Sequence, residues 1–283
     1  MPRRRAPGVC ETLAMNRDRV QALSTLPVAT SSGVRGVLTD IDDTLTTDGA
    51  ITADALDALV QLRAAGLPVV AITGRPMGWS EPFARDWPLD AIVAENGAVA
   101  LFRDGAALRI EYVQDAATRE RNAQRLRDTA ARVLRELPQA RLATDSAGRV
   151  TDIAVDHSEH ARLAPQDIER VVALMRAQGM NATVSSIHIN GWFGEHDKLS
   201  GARWIVQRLF GRDIDTELDR WIYVGDSTND QLMFGHFPLS VGVANLLRFE
   251  SELQVWPAYL TQHERGAGFA EVVRHVLMSR GAA

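Results

Sequence analysis

The chain has 283 residues, which at the roughly 150 typical of one domain is enough for about two domains, or for one domain carrying a large insertion. Hydrophobic residues make up 46% and charged residues 24%, which excludes a disordered, collagenous or fibrous chain. A net charge of −5 without a basic stripe argues against a nucleic-acid partner, and no apolar run approaches the ~18 residues of a membrane span.

A single cysteine, Cys10, allows no intrachain disulfide and no thiolate metal cluster. No apolar segment follows Arg3-Arg4-Arg5 as a secretory leader would, so a reducing cytoplasm is the expected compartment. All but one of the 31 basic residues are Arg, and the exception is Lys198. Arg and Lys serve about equally well on a solvated face. A lone Lys in an Arg background therefore marks a place where a compact ammonium is required.

Residues 1–32 lack sustained periodicity and read as a loose N-terminal extension, with Cys10 an ordinary tail thiol. Val34 to Asp40 reads as a buried strand. Thr52 can cap a helix that carries Leu56, Leu59, Val60 and Arg63 at helical spacing and ends at Gly66 before Pro68. Val69 to Ile72 and Ala91 to Ala94 are further apolar strands, and this strand-helix-strand order indicates a parallel sheet. From 98 to 190 the rhythm changes. A hairpin turns at Asp104-Gly105, a polar helix runs from about Asp115 to Leu137, and a strand spans Val150 to Val155. A helix then opens at Pro165, and a last strand crosses Thr183 to Ile189. The parallel pattern resumes with a helix from Leu199 to Phe210, strands at Trp221 to Val224 and Leu239 to Val243, and a helix around Phe269 to Met278. The fold class is α/β: a Rossmann-like parallel sheet over 33–97 and 191–283, with an inserted α+β unit over 98–190.

Three apolar strands run straight into polar loops: Asp40-Ile41-Asp42-Asp43-Thr44, Thr73-Gly74-Arg75, and Gly225-Asp226-Ser227-Thr228-Asn229-Asp230. In an open parallel sheet these are carboxyl ends, where ligands bind. Asp40, Asp42, Asp226 and Asp230 would share one crevice. Two carboxylates about 4.5 Å apart at an effective dielectric near 20 repel by roughly 4 kcal/mol, so a cation belongs there. A hard divalent ion such as Mg2+ suits oxygen ligands. An EF-hand is excluded, because Leu45 or Gln231 stands where its glycine is needed and Ile51 or Phe237 where its glutamate is needed.

These residues resemble the four motifs of the haloacid dehalogenase superfamily: Asp40 to Thr44 the first, Thr73 the second, Lys198 the third, and Gly225-Asp226 through Asn229-Asp230 the fourth. The resemblance implies a phosphatase in which Asp40 is the nucleophile and Asp42 the acid and base. Thr73, Gly74 and Asn229 would hold phosphoryl oxygens, and Lys198 would neutralise charge. Asp40, the main-chain carbonyl of Asp42, Asp226 and Asp230 would hold Mg2+. Superfamily dehalogenases lack the second Asp of the first motif, so Asp42 favours phosphate chemistry. The long interval from Thr73 to Lys198 makes the 98–190 insert a cap, as in the sucrose-phosphate, mannosyl-phosphoglycerate and Cof-like phosphatases, and Glu95-Asn96-Gly97 is similar to a turn of that group. The implied partner is a small phosphorylated metabolite, a sugar or sugar acid.

Two alternatives are a phosphomutase, which usually carries a helical cap between the first two motifs, and a receiver-type phospho-acceptor module, which is about half this length. His188, Asn190, Trp192 and Phe193 stand where the insert returns, and the aromatics read first as hinge packing. His157 and His160 read as surface histidines. Arg119, Arg121, Arg125 and Arg127 read as a solvated helix face.

Overall fold

The computed structural model describes residues 17–281; Cys10 lies outside them. In chain order the elements are β1 (Gln21–Ala22), α1 (Val28–Ser32), β2 (Gly36–Thr39), β3 (Thr46–Thr47), β4 (Ala50–Ile51), α2 (Ala53–Ala64), β5 (Val69–Ile72), α3 (Met77–Asp86), β6 (Ala91–Ala94), β7 (Val99–Asp104) and β8 (Ala107–Tyr112). The insert supplies α4 (Ala116–Glu136), β9 (Arg141–Leu142), β10 (Asp152–Asp156), α5 (Pro165–Ala177), β11 (Asn181–Val184) and β12 (His188–Trp192). Then follow α6 (Lys198–Phe210), β13 (Trp221–Gly225), α7 (Gln231–His236), β14 (Leu239–Gly242), β15 (Tyr259–Leu260) and α8 (Arg265–Gly281).

The main sheet has the order β1-β15-β14-β13-β2-β5-β6-β7-β8, parallel as far as β6 and antiparallel from β6 through β8. Its central strands, such as Val69–Ile72 and Ala91–Ala94, are buried along their whole length, as continuous apolar runs covered on both faces must be. One apolar cluster on the sheet includes Leu59, Leu62, Phe269 and Val273, and a second includes Ile205, Trp221, Phe234 and Phe237. Gly36 starts β2 because the Trp221 ring lies 2.2 Å from where its Cβ would stand. The insert folds a four-stranded antiparallel sheet, β11-β12-β10-β9, whose own core includes Val133 of α4, Leu137 directly after that helix, and Val171 and Met175 of α5.

The structure corrects three sequence expectations. Residues 17–32 are docked rather than loose: Gln21 pairs with Tyr259 at the sheet edge, and Leu23 and Leu26 are buried. Two isolated leucines carry no period, so only the groove they fill reveals them. The hairpin of β7 and β8 extends the main sheet along the edge of β6 instead of opening the insert. The strand expected across Thr183 to Ile189 is two strands, β11 and β12, turning between them. Pattern reading also passed over α3, whose interior Pro82 breaks the helical signal. No helix among the described residues is long and apolar enough to cross a membrane.

Candidate active site

Strands β13, β2 and β5 are neighbours in the sheet, so the loops at 226–230, 40–44 and 73–75 emerge side by side. Into this junction α6 delivers Lys198 from its first residue, behind a capping box made by Asp197 and Ser200. The Lys198 ammonium donates to Asp40 Oδ1 at 2.6 Å and to Asp230 Oδ1 at 2.7 Å. Asp40, Asp226 and Asp230 each present an oxygen within 4.8 Å of the others, and all three are buried. Asp230 is the organiser. Its Oδ2 accepts from the main-chain N–H groups of Asp226, at 2.9 Å, and Ser227, at 3.1 Å, and the Tyr223 hydroxyl donates to its Oδ1. A Cβ on Gly225 would lie 2.6 Å from that carboxyl group, so only glycine lets the loop close on it.

Three carboxylates face one ammonium here. Burial pushes the Asp40 carboxyl up to about 8, against the pull of Lys198 and reinforced by Asp230 and Asp42. Burial, with Asp40 and Asp230 beside it, raises Asp226 well above the usual carboxylate range. Burial works against the Lys198 charge, but Asp230 and Asp40 overcome it and hold the ammonium protonated. Asp226 Oδ1 is buried with no hydrogen-bond partner among the described residues, a costly state unless something cationic meets it. An all-oxygen donor set with surplus negative charge and one unpartnered oxygen fits a hard divalent cation.

Asp42 does not join this cluster through its carboxylate. Both of its oxygens accept from Arg75 Nε, at 2.9 and 3.1 Å, because the turn after β2 swings its side chain toward the loop after β5. Asp42 and Asp226 nevertheless line the same cleft, a cavity of about 640 Å3 between the main sheet and the insert. Core residues Asp43, Arg248 and Arg265 form one wall, and Ser158, Glu159 and Arg162 of the insert face them. Thr73 is fully buried, and its Oγ1 accepts from the Arg75 N–H at 3.0 Å. The Gly74 carbonyl accepts from Arg149 and Asn190 of the insert. Asn229 accepts from the Ser227 hydroxyl and borders, with Lys198, a smaller cavity of about 270 Å3.

Several residues here carried no assignment from sequence. Glu95, buried and at φ 49°, accepts from the main-chain N–H groups of Met77, Val150 and Thr151 and so ties the insert to the core. Asn245 donates to Asp226 Oδ2 at 3.2 Å and to the Asp43 carbonyl at 3.0 Å. Arg75 and Glu159 are the largest omissions; the signal for Arg75 was its place directly after Thr73-Gly74. His157 is a correction to the surface reading: it is buried, its Nε2 lies 2.9 Å from the Ser185 carbonyl, and burial pushes it below its ordinary value. His160 is exposed at the cleft. Trp192 and Phe193 are buried, the former stacked on His196 and the latter beneath the Arg125 guanidinium.

Residues 37–122 match the family model of the haloacid dehalogenase-like hydrolases. Solved structures share the fold over most of the chain. A Thermoplasma acidophilum protein, 0175, is 17% identical with a TM-score of 0.65, over 87% of this chain and 99% of its own. The sucrose-phosphatase of Synechocystis sp. PCC6803, solved with sucrose and phosphate, is 17% identical with a TM-score of 0.59, over 86% and 98%. The C-terminal domain of a C. albicans trehalose-6-phosphate phosphatase is 14% identical with a TM-score of 0.61, over 93% and 99%. No curated protein matches the chain in sequence. The sequence likeness to haloacid dehalogenase-like hydrolases lies in residues 37–122, and at these identities the likeness to the solved structures is one of fold.

Proposed function

We propose that this protein is a Mg2+-dependent phosphatase of small phosphate monoesters, working through an aspartyl phosphate on Asp40, with the insert as a cap over the site. The observation that carries the reading is the Lys198 ammonium, bonded at once to Asp40 and Asp230 beside the unpartnered oxygen of Asp226. Asp40, the main-chain carbonyl of Asp42, Asp226 and, directly or through water, Asp230 would hold Mg2+, which when bound offsets charge on the nucleophile and the phosphoryl oxygens.

Asp40 attacks phosphorus as a carboxylate while the ester P–O bond breaks, and Asp42 gives its proton to the departing oxygen, so an alcohol leaves. Asp42, now a carboxylate, takes a proton from the water that attacks the phosphorus of the aspartyl phosphate. The bond to Asp40 breaks, inorganic phosphate is released, and both carboxyl groups return to their starting forms. Lys198, Thr73, the Gly74 N–H and Asn229 hold the phosphoryl oxygens through this sequence. A phosphorylated sugar or sugar acid is the substrate class, supported by the polar cleft and by the fold shared with sucrose-phosphatase and trehalose-6-phosphate phosphatase.

The test is a panel of phosphorylated sugars, sugar acids and 4-nitrophenyl phosphate with Mg2+, reading released phosphate. Hydrolysis abolished by chelation is expected. Activity that survives chelation would remove the metal, and inertness toward every ester would remove the phosphatase.

A further inference from the structure

Arg75 is shared more widely than any other side chain of the cleft. Its Nε donates to both oxygens of Asp42. Nη2 lies 2.8 Å from Asp42 Oδ1 and 2.7 Å from Glu159 Oε1, and Nη1 lies 3.2 Å from Asp145 Oδ2 and 3.4 Å from Glu159 Oε2. The guanidinium is 5% exposed and lies 5.0 Å from the centre of the Trp79 ring. Asp42 belongs to the core loop after β2, whereas Asp145 and Glu159 belong to the insert. Each insert carboxylate is held from behind: His188 Nε2 stands 2.9 Å from Glu159 Oε2, and buried Arg149 reaches Asp145 at 3.0 Å.

A guanidinium has five N–H donors in a rigid planar fork. Here Nε and both terminal nitrogens all face carboxylates of Asp42, Asp145 and Glu159 rather than open space for a substrate phosphoryl group. Arg75 therefore acts through another residue. Asp42 is the only one of its three partners on a core loop of the catalytic cleft, and a carboxyl group that must give and later take a proton works from a defined position. With both oxygens facing Arg75, the guanidinium fixes the plane and position of the carboxyl group that must reach the leaving oxygen.

We propose that Arg75 is the positioning residue of Asp42, and that Glu159 and Asp145 fix Arg75 from the insert, so that seating of the insert on the core sets the aim of the acid. The inference rests on the proposed role of Asp42 in proton transfer. It makes the cap part of the chemistry through one shared cation.

The test compares two esters that differ in their need for an acid. Nitrophenolate departs from 4-nitrophenyl phosphate without a proton, whereas the far more basic phenolate of phenyl phosphate needs one. Single-turnover mixing with enzyme in excess reads release of the phenol before the aspartyl phosphate is hydrolysed. For Arg75→Ala, phenol release should slow by about 10²-fold and 4-nitrophenol release by less than about tenfold, the size expected for a misplaced general acid. Arg75→Lys should fall between, and Glu159→Gln should shift the same ratio by about fivefold while leaving Arg75 in place. If Arg75→Ala does not fold, as its melting curve would tell, the other two variants carry the comparison. Equal slowing of both esters, or an unchanged ratio in all variants, would overturn the inference. Wild-type protein inert toward both esters would instead remove the phosphatase reading, and Asp42→Asn with an unchanged ratio would remove the acid on which the inference stands.

Discussion

Two clusters flank the cleft, each with three carboxylates around one basic side chain, and they end in opposite electrostatic states. Around Lys198, burial raises Asp40 and Asp226, and Asp226 Oδ1 has no hydrogen-bond partner among the described residues. Around Arg75, Arg149 and His188 add further donors, and Glu159 is pulled down to about 2: burial opposes its charge, but hydrogen bonds from His188 and Arg75 outweigh it. A point ammonium with three donors satisfies two carboxylates and leaves a third in deficit, whereas a five-donor fork closes its own ring of contacts. The first cluster has room for a cation and a reacting group; the second joins the insert to the core and holds Asp42 at the joint. Charge counts alone do not separate them.

The largest effect expected is at Asp40, the proposed nucleophile. Asp40→Asn replaces the carboxylate by a far less nucleophilic amide, and kcat should fall by at least ~10³-fold, with no phosphorylated protein trapped in a rapid quench. Turnover within tenfold of wild type would take Asp40 out of the reaction. Lys198→Arg asks whether the first cluster tolerates the cation of the second. The broad planar guanidinium should crowd the site, and kcat should drop about a hundredfold with little change in melting temperature. Near wild-type turnover would make Lys198 an ordinary ion-pair partner.

Smaller effects lie in stability against pH. Asp40 ionises near 3.8 when unfolded and near 8 when folded without metal. The folded state thus binds more protons between those values, and the cluster costs stability as pH rises through them. Asp226→Asn should therefore melt above metal-free wild type at pH 8, with the difference shrinking toward pH 4, and Mg2+ should raise the wild-type melting temperature more at pH 8 than at pH 5. A gain from Mg2+ that ignores pH would contradict a site made of these carboxylates. The second cluster carries the opposite sign. Glu159, ordinarily near 4.5 and held near 2 when folded, contributes stability that is present above pH 4.5 and lost as pH falls toward 2. Wild type should melt above Glu159→Gln at pH 6, and the two should converge near pH 2. A constant gap would mean that the contact does not depend on the carboxylate charge.

The membership of the first cluster was readable because its carboxylates sit in short loops directly after apolar strands, where sequence order and spatial order coincide. Lys198 stood out by composition, an independent signal. The second cluster was opaque: Asp42, Arg75, Asp145 and Glu159 come from four separate segments, and nothing in the spacing between them says that they meet. The docked segment around Leu23 and Leu26 was hidden for the same reason, since an isolated leucine gains meaning only from the groove that receives it.

By itself the sequence determined the parallel α/β core, the presence of a large α+β insertion, and the set of strand-end residues around Lys198, because period and loop position are local properties that survive in one dimension. Tertiary structure alone decided that β7 and β8 complete the main sheet, that Asp42 turns away from Asp40 and Asp226, and that the insert grips the core through Arg75 and Glu95. Those outcomes depend on which buried charges can find partners across segments far apart in the chain, and that choice is made by packing.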